Sequence, residues 1–129
     1  MKKNKSILSI SLGEYFSVER DAETINFIKE NFENLNAKGI VVITSSGNNA
    51  NNIITEYKNE KYIRLPCALD SVICVGSIDN YGYYSDPYLT LGAAMDMKYM
   101  NPNNYSRAPF SNYGEKVNIL APGLRRYDP

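Results

Sequence analysis

The chain has 129 residues, carries 14 lysines and arginines against 14 aspartates and glutamates, and contains no histidine. This length allows one domain at most, and a net charge of zero excludes the basic footprint of a nucleic-acid-binding protein. Because histidine is absent, these residues alone form neither a histidine metal site nor the base of a Ser-His-Asp or Cys-His centre.

The first predicted elements are a strand and a helix. The apolar run Ile7–Leu12 is typical of a short buried strand. Over Asp21–Lys38, apolar residues recur at helical spacing, so we predict a helix there with Ser17 or Asp21 as its N-cap. Gly39 stands where a helix commonly ends on a glycine.

A second strand follows the helix directly. The continuous β-branched run Gly39–Thr44 is typical of a strand in a parallel sheet that is covered on both faces. Strand, helix and strand over about forty residues make a βαβ unit. The polar stretch Ser45–Asn52 is predicted to be a loop, and we interpret Ile53–Glu60 as a short helical turn.

The second half of the chain contains two further predicted strands. Val72–Gly76 is apolar enough to be a buried strand, and Val117–Leu120 is the last short one. Between them, Asp79–Ala108 is rich in Tyr, Asn, Gly and Pro, and we predict a long loop there. A loop of this length usually marks a functional insertion or a surface segment.

These elements predict the α/β class with a parallel sheet, in which ligands bind at the carboxyl ends of the strands. The loops at that edge are Gly13–Ser17, Ser45–Asn52 and the segment after Gly76. Neither a Gly-x-Gly-x-x-Gly nor a Walker-type loop follows a strong strand, so the pattern does not favour a nucleotide-binding domain.

The cysteines and the N-terminus exclude other classes. Cys67 and Cys74 are too few for a zinc site or a disulfide framework, and we interpret them as two small buried side chains. Whether they are free or paired stays open. The basic residues before Ile7 precede an apolar stretch too short for a signal peptide or a membrane span.

Several segments, in a fixed order, carry a resemblance. Ser9–Gly13 contains a Ser-Leu-Gly signature, and Gly39–Asn48 ends in Ser-Gly-Asn. Four more landmarks follow at Leu65–Ala68, Val72–Gly76, Phe110–Gly114 and Val117–Gly123. As an ordered set, they resemble the subtilisin family of serine proteases, the subtilases.

The resemblance implies a subtilisin-like fold, a partial doubly wound parallel sheet that makes up about half of the full domain. Residues 1–129 would then be a partial peptidase domain with an insertion-like loop at about 79–108. In the family, the aspartate and histidine motifs precede the Ser-Leu-Gly strand, and the serine motif Gly-Thr-Ser-Met-Ala follows Ala-Pro-Gly. We therefore expect a central fragment of a serine endopeptidase that lacks the triad and is inactive alone.

The resemblance also implies roles for individual residues. Asn48 would be the oxyanion-hole asparagine, whereas without the family match it reads as a turn residue held by its own backbone contacts. The resemblance also implies two groups of substrate-binding residues. A strand edge that pairs with an extended peptide would be formed by Ser11, Leu12 and Gly13. The wall of the pocket that holds the side chain before the scissile bond would be formed by Ser45, Ser46 and Gly47.

The family resemblance also bears on cofactors, partners and location. We expect no cofactor, although some family members bind calcium at the loop that corresponds to Pro66–Val72. The expected partners are a peptide or protein substrate and the rest of the domain, not nucleic acid or a membrane. The family implies the secretory pathway or the cell exterior. The alternative is a degenerate or truncated relative that binds peptides or proteins without catalysis.

Overall fold

The computed structural model describes residues 6–80 and 105–123. Within these residues the chain forms one helix and eight strands, which are β1 (Ser6–Ile10), β2 (Glu14–Ser17), α1 (Ala22–Ala37), β3 (Ile40–Ser45), β4 (Ile54–Tyr57), β5 (Glu60–Leu65), β6 (Val72–Asn80), β7 (Tyr105–Arg107) and β8 (Ile119–Pro122). No helix in this part of the chain is both long and apolar enough to cross a membrane.

The larger sheet is built around β3 and β6. Strand β3 pairs in parallel with β1 on one side and with β6 on the other. Strand β6 also pairs in parallel with β8, and near its end it pairs antiparallel with β7. The predicted α/β class with a parallel sheet is confirmed.

Helix α1 links β2 to β3 and packs on β3. Its ends agree with the prediction to within one residue, and Gly39 has the positive φ of 80° expected of a glycine just beyond a helix. Asp21 takes the N-cap position without a side-chain cap, because its carboxylate accepts a hydrogen bond from the Ser17 backbone N–H instead, at 2.8 Å. The Ser17 hydroxyl in turn accepts one from the Arg20 backbone N–H.

The prediction of a helical turn over Ile53–Glu60 is wrong. Strands β4 and β5 form an antiparallel hairpin there, and β2 pairs with the other edge of β5 to complete a second, three-stranded sheet. The turn residues Lys58 and Asn59 have φ of 51° and 62°, the left-handed values that a two-residue hairpin turn requires. The predicted loop Gly13–Ser17 likewise contains a strand, β2.

The expectation that the first strands are buried needs correction. In β1, Ile7 is 70% exposed, and its partner Val41 on β3 is exposed too, because nothing in the described residues covers this face of the sheet. In β3 only Val42 and Thr44 are fully buried, so one face of the strand is covered and the other only partly. The two-sided burial that the unbroken apolar run predicted is therefore incomplete in the described residues.

The core cluster lies beside β6 and includes a disulfide. Cys67 and Cys74 are joined, with their Cα atoms 4.9 Å apart, and both are fully buried together with Ile53. Their predicted burial is confirmed, and the pairing that the sequence left open is resolved. The bond closes a short loop, which restricts the unfolded chain.

Strand β6 continues past the predicted end at Gly76 to Asn80. The predicted long loop 79–108 therefore begins within β6 and contains β7 near its other end. Residues 81–104, which include the tyrosines at 81, 83, 84, 88 and 99, lie outside the described residues. The last strand begins at Ile119, two residues later than predicted.

Candidate functional site

A cavity of about 540 Å³ opens where the parallel strands end, and its lining mixes serines, Thr44 and Asn48 with apolar side chains. It is called the polar cavity below, because a second cavity nearby is almost wholly apolar. The polar cavity lies across the carboxyl ends of β1, β3 and β8 and the middle of β6, which is where ligands bind in such sheets. Five of the seven residues predicted from the resemblance contribute to its lining, namely Ser11, Ser45, Ser46, Gly47 and Asn48.

The other two predicted residues, Leu12 and Gly13, line a separate cavity of about 440 Å³. This one is mostly apolar and lies between the chain after β1, helix α1 and the end of β5 at Leu65. The structure therefore places the predicted strand edge between two cavities: Ser11 faces the polar one, and the next two residues face the apolar one.

Asn48 lies three residues beyond the end of β3 and is exposed at the rim of the polar cavity. The preceding Gly47 has a φ of 99°, a left-handed conformation that favours glycine. Within residues 6–80 and 105–123, no hydrogen bond holds the Asn48 side-chain amide. The amide therefore lacks the local contacts expected of a residue that serves only to stabilise a turn.

Asn112 holds the Asn48 loop in place, and sequence reasoning did not single it out. Its side chain is fully buried, and its Oδ1 accepts hydrogen bonds from the backbone N–H groups of Asn49 and Asn51, at 2.9 and 3.1 Å. Its Nδ2 donates to the Ser46 carbonyl at 2.9 Å, and its backbone N–H donates to the Gly47 carbonyl at 3.0 Å. One side chain thus bonds to the loop on both sides of Asn48.

The neighbouring Ser111 joins this loop to β6. Its buried hydroxyl lies 3.3 Å from the Ser46 hydroxyl and accepts a hydrogen bond from the Ser77 backbone N–H at 2.9 Å. The sequence signal for both Ser111 and Asn112 was the Phe110–Gly114 landmark, which carries the family resemblance but does not by itself indicate a contact with the Asn48 loop. In the structure, two residues of this landmark determine the shape of the predicted site.

Arg64, near the end of β5, is a further residue that sequence reasoning missed. Its side chain is buried, and its Nε donates to the Ser46 carbonyl at 2.7 Å, the same oxygen that Asn112 bonds. Its only sequence signal was its position two residues before Pro66, which does not distinguish it from an arginine on the surface.

Tyr15 on β2 packs against Arg64 and links the second sheet to the loop. Its hydroxyl donates to the Asn52 carbonyl at 2.9 Å and receives a hydrogen bond from Asn112 at 3.3 Å. Burial raises the pKa of Tyr15 above its ordinary value, although the nearby Arg64 guanidinium opposes this. The phenol therefore stays protonated at neutral pH and remains a donor.

The described residues contain no group of three or more Cys, Asp or Glu side chains arranged to hold a metal ion. In the Pro66–Val72 loop, for which the resemblance raised calcium, Asp70 is exposed and forms an ion pair with Lys116 at 2.6 Å. The hydrogen bond from Lys116 lowers the pKa of the Asp70 carboxyl. The carbonyls of Pro66 and Leu69 accept backbone hydrogen bonds within this loop.

The parallel sheet, the helix packed on it and the polar cavity at the strand ends define an α/β protein with the ligand-binding edge typical of parallel sheets. A sequence model of the subtilase family matches residues 1–128. The chain belongs to the subtilase family.

Solved structures of proteases have the same fold. A lanthipeptide protease is 22% identical, with a TM-score of 0.64 over 92% of this chain and 29% of that protein. The epidermin leader peptide processing serine protease of Staphylococcus aureus is 19% identical, with a TM-score of 0.65 over 92% of this chain and 27% of that one. A prenylagaramide maturation protease is 19% identical, with a TM-score of 0.55 over 92% and 31%. The chain thus spans about 30% of the length of these proteins.

Proposed function

We propose that this chain is the part of a subtilisin-like serine endopeptidase that carries the oxyanion-hole asparagine and the substrate-binding strand. The observation that carries the proposal is the position of Asn48: exposed, at the rim of a polar cavity at the strand ends, with its amide not bonded to any described residue. Its backbone is meanwhile fixed by the fully buried Asn112.

A fixed loop and an unbonded amide are what oxyanion stabilisation requires. When a serine hydroxyl attacks a peptide carbonyl, its proton passes to a base and the carbonyl oxygen becomes an anion. A donor already positioned at that oxygen stabilises the transition state more than the substrate. In this proposal the Nδ2–H of Asn48 is the donor. The Asn112 hydrogen bonds reduce the reorganisation needed as the charge develops.

Peptide binding would use the edge after β1. Ser11 and Leu12 are exposed, and within the described residues β1 pairs on one side only. An extended peptide can add to such an edge through main-chain hydrogen bonds. The side chain before the scissile bond would then lie against the wall formed by Ser45, Ser46 and Gly47.

The 129 residues would not hydrolyse peptides alone, because they include no histidine to accept the proton of a serine. In the complete enzyme, an aspartate and a histidine from a preceding segment and a serine from a following one would supply the triad. The acyl-enzyme that forms when the amine leaves would then be hydrolysed by water.

The test uses the purified chain and the protein encoded by the whole reading frame around it. We expect the chain to leave a fluorogenic peptide mixture intact and the complete protein to cleave it. Loss of one oxyanion donor lowers kcat by about 10²- to 10³-fold in subtilisin, and we expect a similar loss for Asn48→Ala. Asn49→Ala, on the same loop but outside the cavity lining, is the matched control and should leave kcat unchanged.

Two results would contradict the proposal. Cleavage by the purified chain, sensitive to serine-protease inhibitors, would show that the chain does not depend on a triad from elsewhere. A whole reading frame without the aspartate, histidine and serine motifs would remove the catalytic role and favour a relative that only binds peptides.

A further inference from the structure

The position of Arg64 bears on substrate choice. It is the fifth residue of β5 and pairs with Tyr15 across the second sheet, yet its side chain is only 7% exposed. The guanidinium carbon lies 5.7 Å from the centre of the Tyr15 ring. A charged side chain this buried needs a partner, because removing a charge from water is costly.

The guanidinium lies between the two segments proposed to bind substrate. A Cβ atom placed on Gly47 would lie 2.6 Å from Nη2, and one placed on Gly13 would lie 3.2 Å from Nη1. Only glycine leaves room for the guanidinium at Gly47, where φ is also positive. Arg64 therefore fills the space between the strand edge at Gly13 and the pocket wall at Gly47.

Among the described residues, the Arg64 side chain makes one hydrogen bond, which uses a single N–H of the guanidinium. Nε donates to the Ser46 carbonyl, but across the part of the chain that the structure describes neither Nη1 nor Nη2 has a hydrogen bond, and Arg64 takes part in no ion pair. The two Nη groups form the outer part of the planar fork that binds a carboxylate in a bidentate manner.

We propose that Arg64 is a specificity-determining residue that selects peptides with an acidic side chain immediately before the scissile bond. This inference rests on the proposed function, because it takes Ser45–Gly47 as the wall of the pocket that receives that side chain. The carboxylate of an Asp or Glu there would pair with the Nη groups of Arg64. A neutral or cationic side chain would leave the buried charge without a partner or repel it.

The experiment measures peptide binding to the 129-residue chain by isothermal titration calorimetry, at chain concentrations where light scattering shows a monomer, so that pairing of two β1 edges does not compete with the peptide. The probes are two N-acetylated, C-amidated peptides of five residues that differ only in Glu or Gln at the position before the intended scissile bond, so that neither carries another carboxylate. We expect the Glu peptide to bind about tenfold more tightly, as a charge-assisted bidentate pair allows.

Arg64→Gln should remove the difference between the two peptides, while Arg64→Lys keeps the charge and should retain part of it. Arg20→Gln is the matched control, because Arg20 also lies against a tyrosine ring, at 5.9 Å from Tyr62, but on the exposed surface. It removes the same charge from the chain and should leave the ratio unchanged. The readout is the ratio of the two peptide affinities measured on one variant. A general loss of stability would weaken the binding of both peptides alike and would therefore leave this ratio unchanged.

The outcomes separate the two proposals. Equal binding of both peptides by the unmodified chain, or a ratio that survives Arg64→Gln, overturns the role of Arg64 and leaves the proposed function intact. Binding of neither peptide contradicts the proposed substrate edge and with it this inference. Cleavage by the complete protein with preference for a basic or apolar residue before the scissile bond overturns the inference alone.

Discussion

At the scale of single residues, Asn112 concentrates the polar contacts that shape the Asn48 loop. We expect Asn112→Ala to lower the free energy of unfolding by about 3 kcal/mol, because two backbone N–H groups and a shared carbonyl lose buried partners. The same variant should loosen the loop on both sides of Asn48. Urea denaturation followed by circular dichroism measures the change.

Asn49→Ala is the control for this prediction, since it removes an exposed amide from the same loop and should change stability by less than about 0.5 kcal/mol. Equal effects of the two substitutions would mean that the buried network does not hold the loop.

The residues around Asn48 show which contacts of the candidate site could be predicted from the sequence. Ser46, Gly47 and Asn48 could be predicted to lie together because they are consecutive and follow a strong strand. Asn112 and Arg64 could not, because each reaches the loop from a distant segment, 66 and 18 residues from Ser46 respectively. Such long-range contacts leave no periodic signal in the sequence.

At the scale of elements, the hairpin of β4 and β5 provides a test of turn chemistry. Asn59 has a φ of 62°, where glycine is free of the cost that an L side chain carries. We expect Asn59→Gly to raise the free energy of unfolding by about 0.5 kcal/mol, and Asn59→Val to lower it by about 1 kcal/mol or more. Thermal and urea unfolding of both variants measure these changes.

An Asn→Gly substitution in a helix should change the free energy of unfolding in the opposite direction. Asn34→Gly, on the exposed face of α1, should lower stability by about 0.3 kcal/mol, since glycine is the poorer helix former. A stabilising effect at both positions would show that the hairpin turn does not explain the result at Asn59.

Elements with strong local patterns were predictable, and those that depend on distant pairing were not. Helix α1 has an apolar stripe and a glycine at its end, so its bounds follow from local sequence. The hairpin could not be predicted from its turn, because the turn residues Lys58 and Asn59 include no glycine, the usual signal. Strand β2 could not be predicted either, because it forms by pairing with β5, which lies far away in the sequence. The burial predicted for β1 was wrong for a related reason. An apolar run indicates a strand that can be buried, but it does not show whether another element packs on that strand.

At the scale of the whole molecule, the described structure leaves apolar surface at the edge of the main sheet. Ile7 and Leu8 on β1 are exposed, and so is Val41 on the paired strand β3. The chain also covers only about 30% of the length of the proteases that share its fold. An uncovered apolar edge strand can pair with another chain.

We therefore expect the purified chain to self-associate as its concentration rises through the micromolar range. Ile7→Lys should weaken this association, because a charge on an edge strand opposes pairing with a second edge. Val18→Lys adds the same charge in the turn after β2, away from that edge, and should leave association unchanged. Light scattering coupled to size-exclusion chromatography measures the mass at each concentration. A monodisperse monomer that unfolds cooperatively on heating would contradict the prediction and would show that this edge is tolerated in water.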